Sequence, residues 1–515
     1  MGLIIGGATP AGAQDMLSTD STHRAGLSMA DVLRVTTARN ASIRIARSQV
    51  DAQRGVVMAA RGAFDPIVQT GVDNAHDREL AALSDGTPIT LASRNTAYSL
   101  GVPTQFRSGM LVTPQIDVTR KDVFAPAAAG GLRSSQATAQ LNVLVPLSRN
   151  RSGVVTSSAE RAAESDLAAT TFSLRHAAAL GVLQAAQAYW AYAAAVQQLE
   201  VYRSSEERAQ RMVNETKQLV DAEERPPSDM QLVRANLSAK RVVRISAEQA
   251  LVEARATLGS AMGVDDSVVA SLPLPATAFP AVSAAGVKLD QHHWKEQASA
   301  SRADLAAAVA GQRTAETLVR ASASDLRSRM DVVVGLGYTG QATGSVGTAT
   351  GGFPAFFSPL YSNVPGLNVT VGLRYELPST NAGAVGRAEQ RTALLEEQRI
   401  AVADLQRQIA TSVSVALDGI RHGQDGLREA QNAVELSEGT VLNEQRRFRL
   451  GVGTLFDVIQ AQDALTNALL GRISNALSYA DALAALHFAS GTLLRPSDGP
   501  TSFVADVDVL TMPPT

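Results

Sequence analysis

The chain has 515 residues, of which 45% are hydrophobic and 18% are charged, and this composition permits one large domain or several ordinary ones. Its formal net charge of -3 gives no electrostatic reason to expect nucleic acid as a partner, because phosphate binding needs clustered Lys and Arg. The absence of Cys excludes disulfides, thiolate metal sites, Cys nucleophiles and an acylated N-terminal Cys.

Residues 1–14 are uncharged and end in Ala11-Gly12-Ala13, which has the small-x-small form of a signal peptidase site. The apolar stretch is short, and no basic residue precedes it. Two interpretations stay open for residues 1–26: a remnant of an export signal, or a flexible N-terminus.

The first half of the chain, residues 27–288, begins with a predicted helix over residues 27–61. Alternating segments follow within residues 64–147, with charged residues between them. We expect two of these segments to be membrane strands and the remainder to be a hairpin or loop outside the hydrocarbon layer. The segments cover residues 65–73, 97–102, 110–118 and 141–147.

A long helical hairpin is predicted next, over residues 154–262. No proline occurs in residues 154–222, and a second helical pattern covers residues 228–262. At 1.5 Å per residue the first helix would be roughly 100 Å long, which exceeds the width of an ordinary globular domain. Residues 263–288 are a predicted linker.

The second half, residues 289–494, repeats this order, and the repetition indicates an internal duplication. In the first helix of each half, Asn40-Ala-Ser-Ile43 corresponds to Arg302-Ala-Asp-Leu305. The predicted elements are a helix over residues 289–329, strands within residues 331–377, a hairpin over residues 385–490 and a flexible C-terminal tail at residues 495–515.

The strands of the second half suggest a membrane. Residues 367–377 alternate between apolar and polar, and residues 332–373 contain no charge. Because backbone groups in lipid must all pair, such strands need a closed barrel, to which several chains contribute. An antiparallel sheet in a soluble domain is the alternative. Aromatic residues that suit lipid-facing strands are Tyr338, Phe353, Phe356, Phe357 and Tyr361.

A motif in the second hairpin resembles a known family. Phe448, Gly451, Thr454 and Asp457 have the spacing aromatic-x-x-Gly-x-x-Thr-x-x-Asp, followed by Val-Ile-x-Ala. This is similar to a motif at the periplasmic end of the second helical hairpin in the TolC-like outer membrane efflux protein family. Ala188-Tyr189-Trp190 also resembles the family's Ala-Tyr-Trp, and the order of elements resembles the family over about residues 27–494.

The resemblance implies a mixed α and β fold: a TolC-like trimeric outer membrane β-barrel continuous with a long periplasmic α-helical barrel, built from an internal duplication. Each protomer would give four strands to a twelve-stranded barrel. The implied function is the outer membrane channel of a tripartite efflux system, which conducts small molecules passively. The implied partners are two further copies of the chain, a periplasmic adaptor protein, an inner membrane transporter and outer membrane lipid.

Two other functions stay open. The first is the outer membrane duct of a type I protein secretion system, which would share the fold. The second, from a different class, is a soluble coiled-coil scaffold protein.

In this family, carboxylates just inside the second hairpin tip line the periplasmic constriction, where a ring of like charge attracts cations. Asp457 matches the first of these positions and Gln460 occupies the second, so the ring is expected to carry less charge. Asp229 is the counterpart in the first hairpin. An equally good interpretation of Asp457 is an acid in the first turn of a helix, stabilised by the helix dipole.

The hairpin tips are candidates for adaptor docking. Both glycines of the second tip are expected to accept a positive φ in the turn. The Pro-Pro pair of the first tip is expected to end one helix, and the serine after it to cap the next. The first tip lacks the family's usual glycine. The docking candidates are Phe448, Gly451, Gly453, Thr454, Pro226, Pro227 and Ser228.

No combination of nucleophile, base and orienting acid suggests an enzyme, so no catalytic residue and no cofactor are expected. His292 and His293 are adjacent on a predicted helix and point in different directions, which favours surface residues over metal ligands. Tyr189 and Trp190 are expected to be packing groups.

Overall fold

The computed structural model describes residues 26–82, 86–124, 131–282, 290–346, 357–362, 366–496 and 503–512. The chain forms two compact units. Unit 1 comprises Met1–Val50, Thr170–Ala307 and Ala403–Thr515, and unit 2 comprises Asp51–Ala169 and Ala308–Val402. The possible signal peptidase site at residues 11–13 lies outside the described residues, as do Phe353 and Phe356.

Unit 2 contains one antiparallel sheet. Six long strands follow one another in the order β1-β2-β4-β5-β6-β7, and a short strand, β3, pairs with β4. Among the residues that the structure describes, β1 and β7 are the outer edges and no pairing joins them. The strands are β1 (Gln69–Ala82), β2 (Pro88–Gly101), β3 (Thr104–Gln105), β4 (Leu111–Phe124), β5 (Gly131–Pro146), β6 (Arg329–Val346) and β7 (Asn368–Glu376).

The stretch of residues 64–147 differs from its prediction. In place of two strands and a separate hairpin or loop, one sheet runs through four long strands. Charged residues do not interrupt these strands, and two of them pair across the sheet. Arg133 of β5 donates from Nε to Asp122 of β4 at 2.8 Å, and the two residues are direct neighbours in the register. Cross-strand ion pairs keep both charges inside a sheet, so alternation alone could not separate strand from loop.

The two faces of the sheet differ in polarity. On one face, which we call the apolar face, Leu141 of β5 lies opposite Leu336 of β6, which lies opposite Val369 of β7. The apolar-face residues from Val369 to Tyr375 are 59–71% exposed. On the other face, the polar face, the adjacent row is Asn142, Gly335 and Thr370.

The connection between β6 and β7 touches the apolar face far from the helices. Val118 and Ala137 are buried there beneath Phe357 and Leu360. Tyr98 of β2 also packs on this segment, with its ring centroid 6.2 Å from that of Phe357. Aromatic and aliphatic side chains therefore cover one end of the apolar face, and none of the residues that the structure describes covers β7.

Two long helical hairpins agree with the prediction from proline positions and apolar spacing. The first joins a 64-residue helix to a 35-residue helix, and the second joins a 68-residue helix to a 35-residue helix. No helix in the described part of the chain is long and apolar enough to cross a membrane. The helices are α1 (Met29–Arg39), α2 (Ala41–Gly62), α3 (Ser158–Asp221), α4 (Ser228–Met262), α5 (Asp266–Ala270), α6 (Gln291–Ser301), α7 (Ala303–Asp325), α8 (Ala382–Arg449), α9 (Leu455–Ala489) and α10 (Asp508–Thr511).

The predicted helices over residues 27–61 and 289–329 are each broken in two, which the sequence did not show. The breaks lie at Asn40, with ψ 129°, and at Arg302, with ψ 123°. Gly263, after α4, and Gly491, after α9, pack so closely on these breaks that a Cβ would lie 2.7–2.9 Å from the carbonyl oxygens of the preceding residues. The same break and the same glycine contact in both halves support the duplication.

The core of unit 1 buries the aromatic residues of α3, as predicted for packing groups. Tyr189 and Trp190 have no exposed surface. The Tyr189 hydroxyl donates to the carbonyl oxygen of Leu27 and accepts from the backbone N–H of Thr277, both at 2.9 Å, so its polar atom is satisfied within the core. The ring of Trp190 stacks on Phe279, with centroids 5.3 Å apart.

The segment predicted as a C-terminal tail contains regular structure. Strand β8 (Leu494–Pro496) pairs with β9 (Phe503–Ala505), and Arg495 forms an ion pair with Asp506. Helix α10 follows, with Leu510 fully buried.

Candidate functional site: the two hairpin tips

Both hairpin tips belong to unit 1. The first tip is the turn between α3 and α4, at residues 222–227, and the second tip is the turn between α8 and α9, at residues 450–454. All of the residues predicted for a gate or for docking lie in these turns or in the helical turns beside them.

The second tip turns through glycine. Gly451 has φ +77°, as predicted, and its neighbour Val452 donates a backbone bond of 3.0 Å to Arg447. A helix end of this kind needs a left-handed residue, which glycine adopts without steric cost. Gly453 has no positive φ, contrary to the prediction. It is closely packed, and a Cβ there would lie 3.2 Å from the Cβ of Arg447 and from the backbone nitrogen of Phe448, so a larger residue would need these neighbours to shift by a few tenths of an ångström.

Asp457 and Thr454 form a capping box at the start of α9. The hydroxyl of Thr454 accepts from the backbone N–H of Asp457 at 3.2 Å, and the carboxylate of Asp457 accepts from the backbone N–H of Thr454 at 3.0 Å. The Thr454 hydroxyl also donates to that carboxylate at 2.7 Å. These bonds, the side-chain bond first, hold the pKa of Asp457 below its usual value. The helix-start interpretation of Asp457 is therefore confirmed, and it fixes where the charge sits.

Gln460 lies on the exposed surface of the same helix, three residues after Asp457. Asp229 occupies the first turn of α4 and is half-buried. In sequence it is the counterpart of Asp457. Unlike Asp457, it lies two residues after a proline pair and is not part of a capping box.

The first tip adopts the same turn without glycine. Glu223 has φ +60°, and Glu224 donates a backbone bond of 2.9 Å to Leu219. This is the position that Gly451 holds in the second tip. A left-handed non-glycine residue is strained, and nothing in the sequence pattern marked Glu223 as that residue.

Ser228 does not cap α4, so that prediction is wrong. Pro227 occupies the cap position, with φ -60° and no side-chain bond to the helix. The backbone N–H groups of Asp229 and Met230 donate instead to the carbonyl oxygens of Pro226 and Pro227, at 3.1 and 3.2 Å. The proline rings already fix a helical φ, so the helix starts without a hydroxyl cap.

The tips are packed on each other. Met212 of α3 and Val233 of α4 are buried against Leu455, Val458 and Ile459 of α9.

A cation–π contact continues this packing at the surface. The guanidinium of Arg225, in the first tip, lies 4.7 Å from the ring centroid of Phe448, which is partly buried in the second. The role of Arg225 was missed, because a contact between two turns of separate hairpins leaves no mark in the spacing of either one.

Polar contacts join the hairpins further from the tips. Lys240 of α4 forms an ion pair with Asp463 of α9. Arg208 of α3 donates to the hydroxyl of Thr466 at 3.2 Å, and burial is the main cause that lowers its pKa. A cleft of about 510 Å³ lies between the hairpins and reaches both tips, and Arg208, Arg211, Glu215, Glu224, Arg225 and Arg449 contribute its charged lining.

The described side chains of this site are charged, polar and apolar groups packed between the two hairpins. Within the described residues, no group of three His, Asp or Glu side chains could hold a metal ion. His292, at the start of α6, has Glu296 at 3.7 Å on an exposed surface.

No family model and no curated protein matches the chain. Solved structures do match it. The CmeC outer membrane channel of Campylobacter jejuni has a TM-score of 0.65 at 11% identity, over 92% of this chain and 87% of that one. The outer membrane protein VceC of Vibrio cholerae has a TM-score of 0.64 at 14% identity, over 90% of this chain and 96% of that one. The outer-membrane channel OprN has a TM-score of 0.64 at 14% identity, over 92% and 91%.

The chain has the fold of these outer membrane channels. About nine-tenths of this chain is matched in each case. The outer membrane channel fold thus confirms the family resemblance that the second-tip motif indicated. At 11–14% identity it is a statement about the fold.

Proposed function

We propose that the chain is one protomer of a homotrimeric outer membrane duct in a tripartite efflux system. The observation that carries this proposal is the exposed apolar face of β7, in register with apolar residues of β5 and β6. A contiguous exposed apolar surface of this kind marks a partner or a membrane, and here the opposite face of the same strands is polar. Acyl chains on one side and water on the other suit this pattern.

Closure by other copies follows from the same physics. Unpaired backbone groups at a strand edge cost several kcal/mol each in a hydrocarbon layer, so open edges do not occur there. The sheet of one chain leaves both β1 and β7 open, and neighbouring copies would pair them. We infer an outer membrane location with the long hairpins in the periplasm.

The hairpin tips would then form the periplasmic gate. Repeated by threefold symmetry, Asp457 gives a ring of like charge at the constriction, with Gln460 and Asp229 beside it. The adaptor would dock on the exposed tip residues, and the inner membrane transporter would supply the substrate and the energy. The duct itself would need no cofactor. The docking residues are Phe448, Gly451, Gly453, Thr454, Pro226, Pro227 and Ser228.

Fractionation tests the proposal. The full-length chain, expressed in a Gram-negative host, should be extracted only by detergent and should migrate as a heat-modifiable trimer. Recovery of a monomer in buffer without detergent would reject the duct and favour the soluble scaffold. A matched control is a soluble periplasmic protein of the same host, which must appear in the detergent-free fraction.

A further inference from the structure

The sheet of this chain has six long strands, whereas the family resemblance implies four barrel strands from each protomer. The question is whether β1 and β2 are spanning strands or an appendage. Four strands have an end that joins a helix: β1 follows α2, β5 precedes α3, β6 follows α7 and β7 precedes α8. We call the edge of the sheet marked by these four ends the rim.

The turn between β2 and β4, at residues 102–110, also lies at the rim. Arg107 in this turn makes a bidentate contact with Glu160 in the first turn of α3, from Nε at 2.7 Å and from Nη2 at 2.8 Å. The side chain of Glu160 is only 9% exposed, and Arg61 of α2 lies 3.4 Å from it. The Arg107 guanidinium also covers the ring of Phe64, at 4.6 Å. Strands β2 and β4 therefore reach the same rim as the helix-joined strands.

The rim is staggered in the way that a tilted barrel requires. At one side, Glu376 at the end of β7 pairs with Arg329. Along β6, Arg329 lies two residues closer to the helices than Asp331, which pairs with Pro146 of β5.

At the other side, Gln69 at the start of β1 pairs with Gly101, and this row continues through Gln115 to Gln140 of β5. Gln140 is six residues from Pro146 along β5, and the offset between Asp331 and Arg329 of β6 adds two more. The rim ends of β1 and β7 are therefore offset by eight residues in all. Over five strand spacings this offset corresponds to a strand tilt of roughly 45°, which is close to that of closed barrels. With that tilt all six strands start at one level.

The apolar face continues into β1, β2 and β4 above the rim. In the register of the sheet, Val118 of β4 lies opposite Tyr98 of β2, which lies opposite Val72 of β1. Cationic side chains begin only higher up, with Arg94 in β2 and Arg120 in β4. On the apolar face, each of these strands thus has an uncharged stretch near the rim, and its first charges lie where a barrel would meet the headgroups. The acids nearer the rim, Asp73 and Asp117, are on the polar face.

The two open edges complement each other. In an antiparallel sheet of six strands, β1 runs away from the rim and β7 runs toward it, so β7 of one copy and β1 of the next would be antiparallel. Nearly every residue of β1 and β7 is exposed. In the described part of the chain, neither strand has a partner on its outer side. A second copy of this chain fits because cyclic symmetry satisfies both edges at once.

We propose that all six long strands belong to the membrane barrel and that β7 of each copy pairs with β1 of the next, so that three copies form eighteen strands and not twelve. This inference rests on the proposed trimeric duct. Barrel diameter grows about linearly with strand number, so the bore would be roughly 1.5 times as wide as in a twelve-stranded barrel.

Disulfide cross-linking tests the edge pairing. Because the sequence has no native Cys, only the introduced cysteines can form disulfides. Thr370→Cys on the polar face of β7 is combined in turn with Asp73→Cys, Ala75→Cys or Asp77→Cys on the polar face of β1. The matched control set combines Thr370→Cys with Asp117→Cys, Thr119→Cys or Lys121→Cys on β4, which becomes the edge if β1 and β2 are an appendage. Detergent-extracted trimer is oxidised and run on a denaturing gel without reductant.

We expect at least one pair of the β1 set to give covalent dimers and trimers in roughly half or more of the protein, because paired strands hold Cα atoms within disulfide reach. The β4 set should give none. Cross-linking through β4 alone would show a twelve-stranded barrel and overturn the inference. A trimer that cross-links in neither set would also overturn it. Failure of the proposed function is detected separately and before any oxidation, because the chain would then be recovered as a monomer in buffer without detergent.

Discussion

At the scale of single residues, one carboxylate of the second tip holds the start of a helix and carries the charge that we propose for the gate. The capping box holds Asp457 by bonds to both the hydroxyl and the backbone of Thr454. An acid with a lowered pKa stays charged well below neutral pH. A fixed, permanently charged group is what a selectivity ring needs, and removal of the charge can be separated from removal of the cap.

This separation gives the first prediction. Asp457→Asn should lower the cation selectivity of the reconstituted channel, and Gln460→Glu should raise it by adding a second carboxylate to each copy. Thr454→Ala is the matched control, because it weakens the cap by about 1 kcal/mol and keeps the charge. Reversal potentials in planar bilayers under a salt gradient measure the selectivity. An Asp457→Asn channel that keeps the native reversal potential would place Asp457 away from the narrowest point.

The first tip gives a second prediction at this scale. Glu223 holds a left-handed conformation, which costs a non-glycine residue roughly 1 kcal/mol. Glu223→Gly should therefore slow hydrogen exchange in the peptide that spans the first tip. Glu224→Gly is the control and should accelerate exchange, since that residue has no positive φ to relieve. Faster exchange in Glu223→Gly would show that the strain is relaxed in solution.

At the scale of elements, Glu160 connects the β2–β4 turn to α3. Its removal leaves Arg107 without an acceptor, whereas Arg61 keeps Glu164 at 2.7 Å. Glu160→Ala should raise hydrogen exchange in residues 102–110 about tenfold, which corresponds to about 1.4 kcal/mol. Glu164→Ala, which removes a more exposed carboxylate, should leave this turn unchanged. Equal exchange in both variants would mean that the turn is not held by Glu160.

The same contact has a predictable pH dependence. Hydrogen bonds from Arg107 are the main cause that lowers the pKa of Glu160 from its ordinary value of 4.5. A group with a lowered folded pKa stabilises the structure fully above the unfolded value and loses that contribution as the pH falls through the folded one. The turn at residues 102–110 should thus loosen below about pH 4, and Glu160→Gln should abolish this change. Urea unfolding across pH 3–7 measures it.

The elements show what a sequence can and cannot predict. The long hairpins were predicted within a few residues, because proline positions and apolar spacing act locally along a helix. The alternation of apolar and polar residues in β7 was also predicted, because this pattern acts locally along a strand. The breaks at Asn40 and Arg302 were not, since they depend on the contacts of Gly263 and Gly491 from distant parts of the chain.

The site was predictable to a similar degree. The second-tip motif, recognised by its resemblance to the family, located Gly451 in the turn and Asp457 in the first turn of the helix. The roles of Glu223 and Arg225 escaped prediction, because left-handed glutamate is rare and a guanidinium over an aromatic ring of another hairpin needs the tertiary fold. Arg133 and Asp122 illustrate the same limit in the sheet, where a cross-strand pair resembles a charged loop when it is read along the chain.

At the scale of the whole molecule, two features of a single chain indicate partners. In the described ranges its sheet has open edges at β1 and β7, and its apolar face on β7 is exposed. Copies of the chain would satisfy the first and lipid the second. Both follow from one arrangement, in which the apolar face is turned outward and the polar face lines water.

The contact between the apolar face and acyl chains can be measured directly. Val371→Cys and Thr370→Cys place a nitroxide label on the two faces of β7, and collision with oxygen or with a water-soluble nickel chelate reports its surroundings in liposomes. We expect the label at Val371 to collide with oxygen and to be shielded from nickel, and the label at Thr370 to show the reverse. A label at Val371 that is as accessible to nickel as the label at Thr370 would contradict the membrane assignment, and the proposed duct with it.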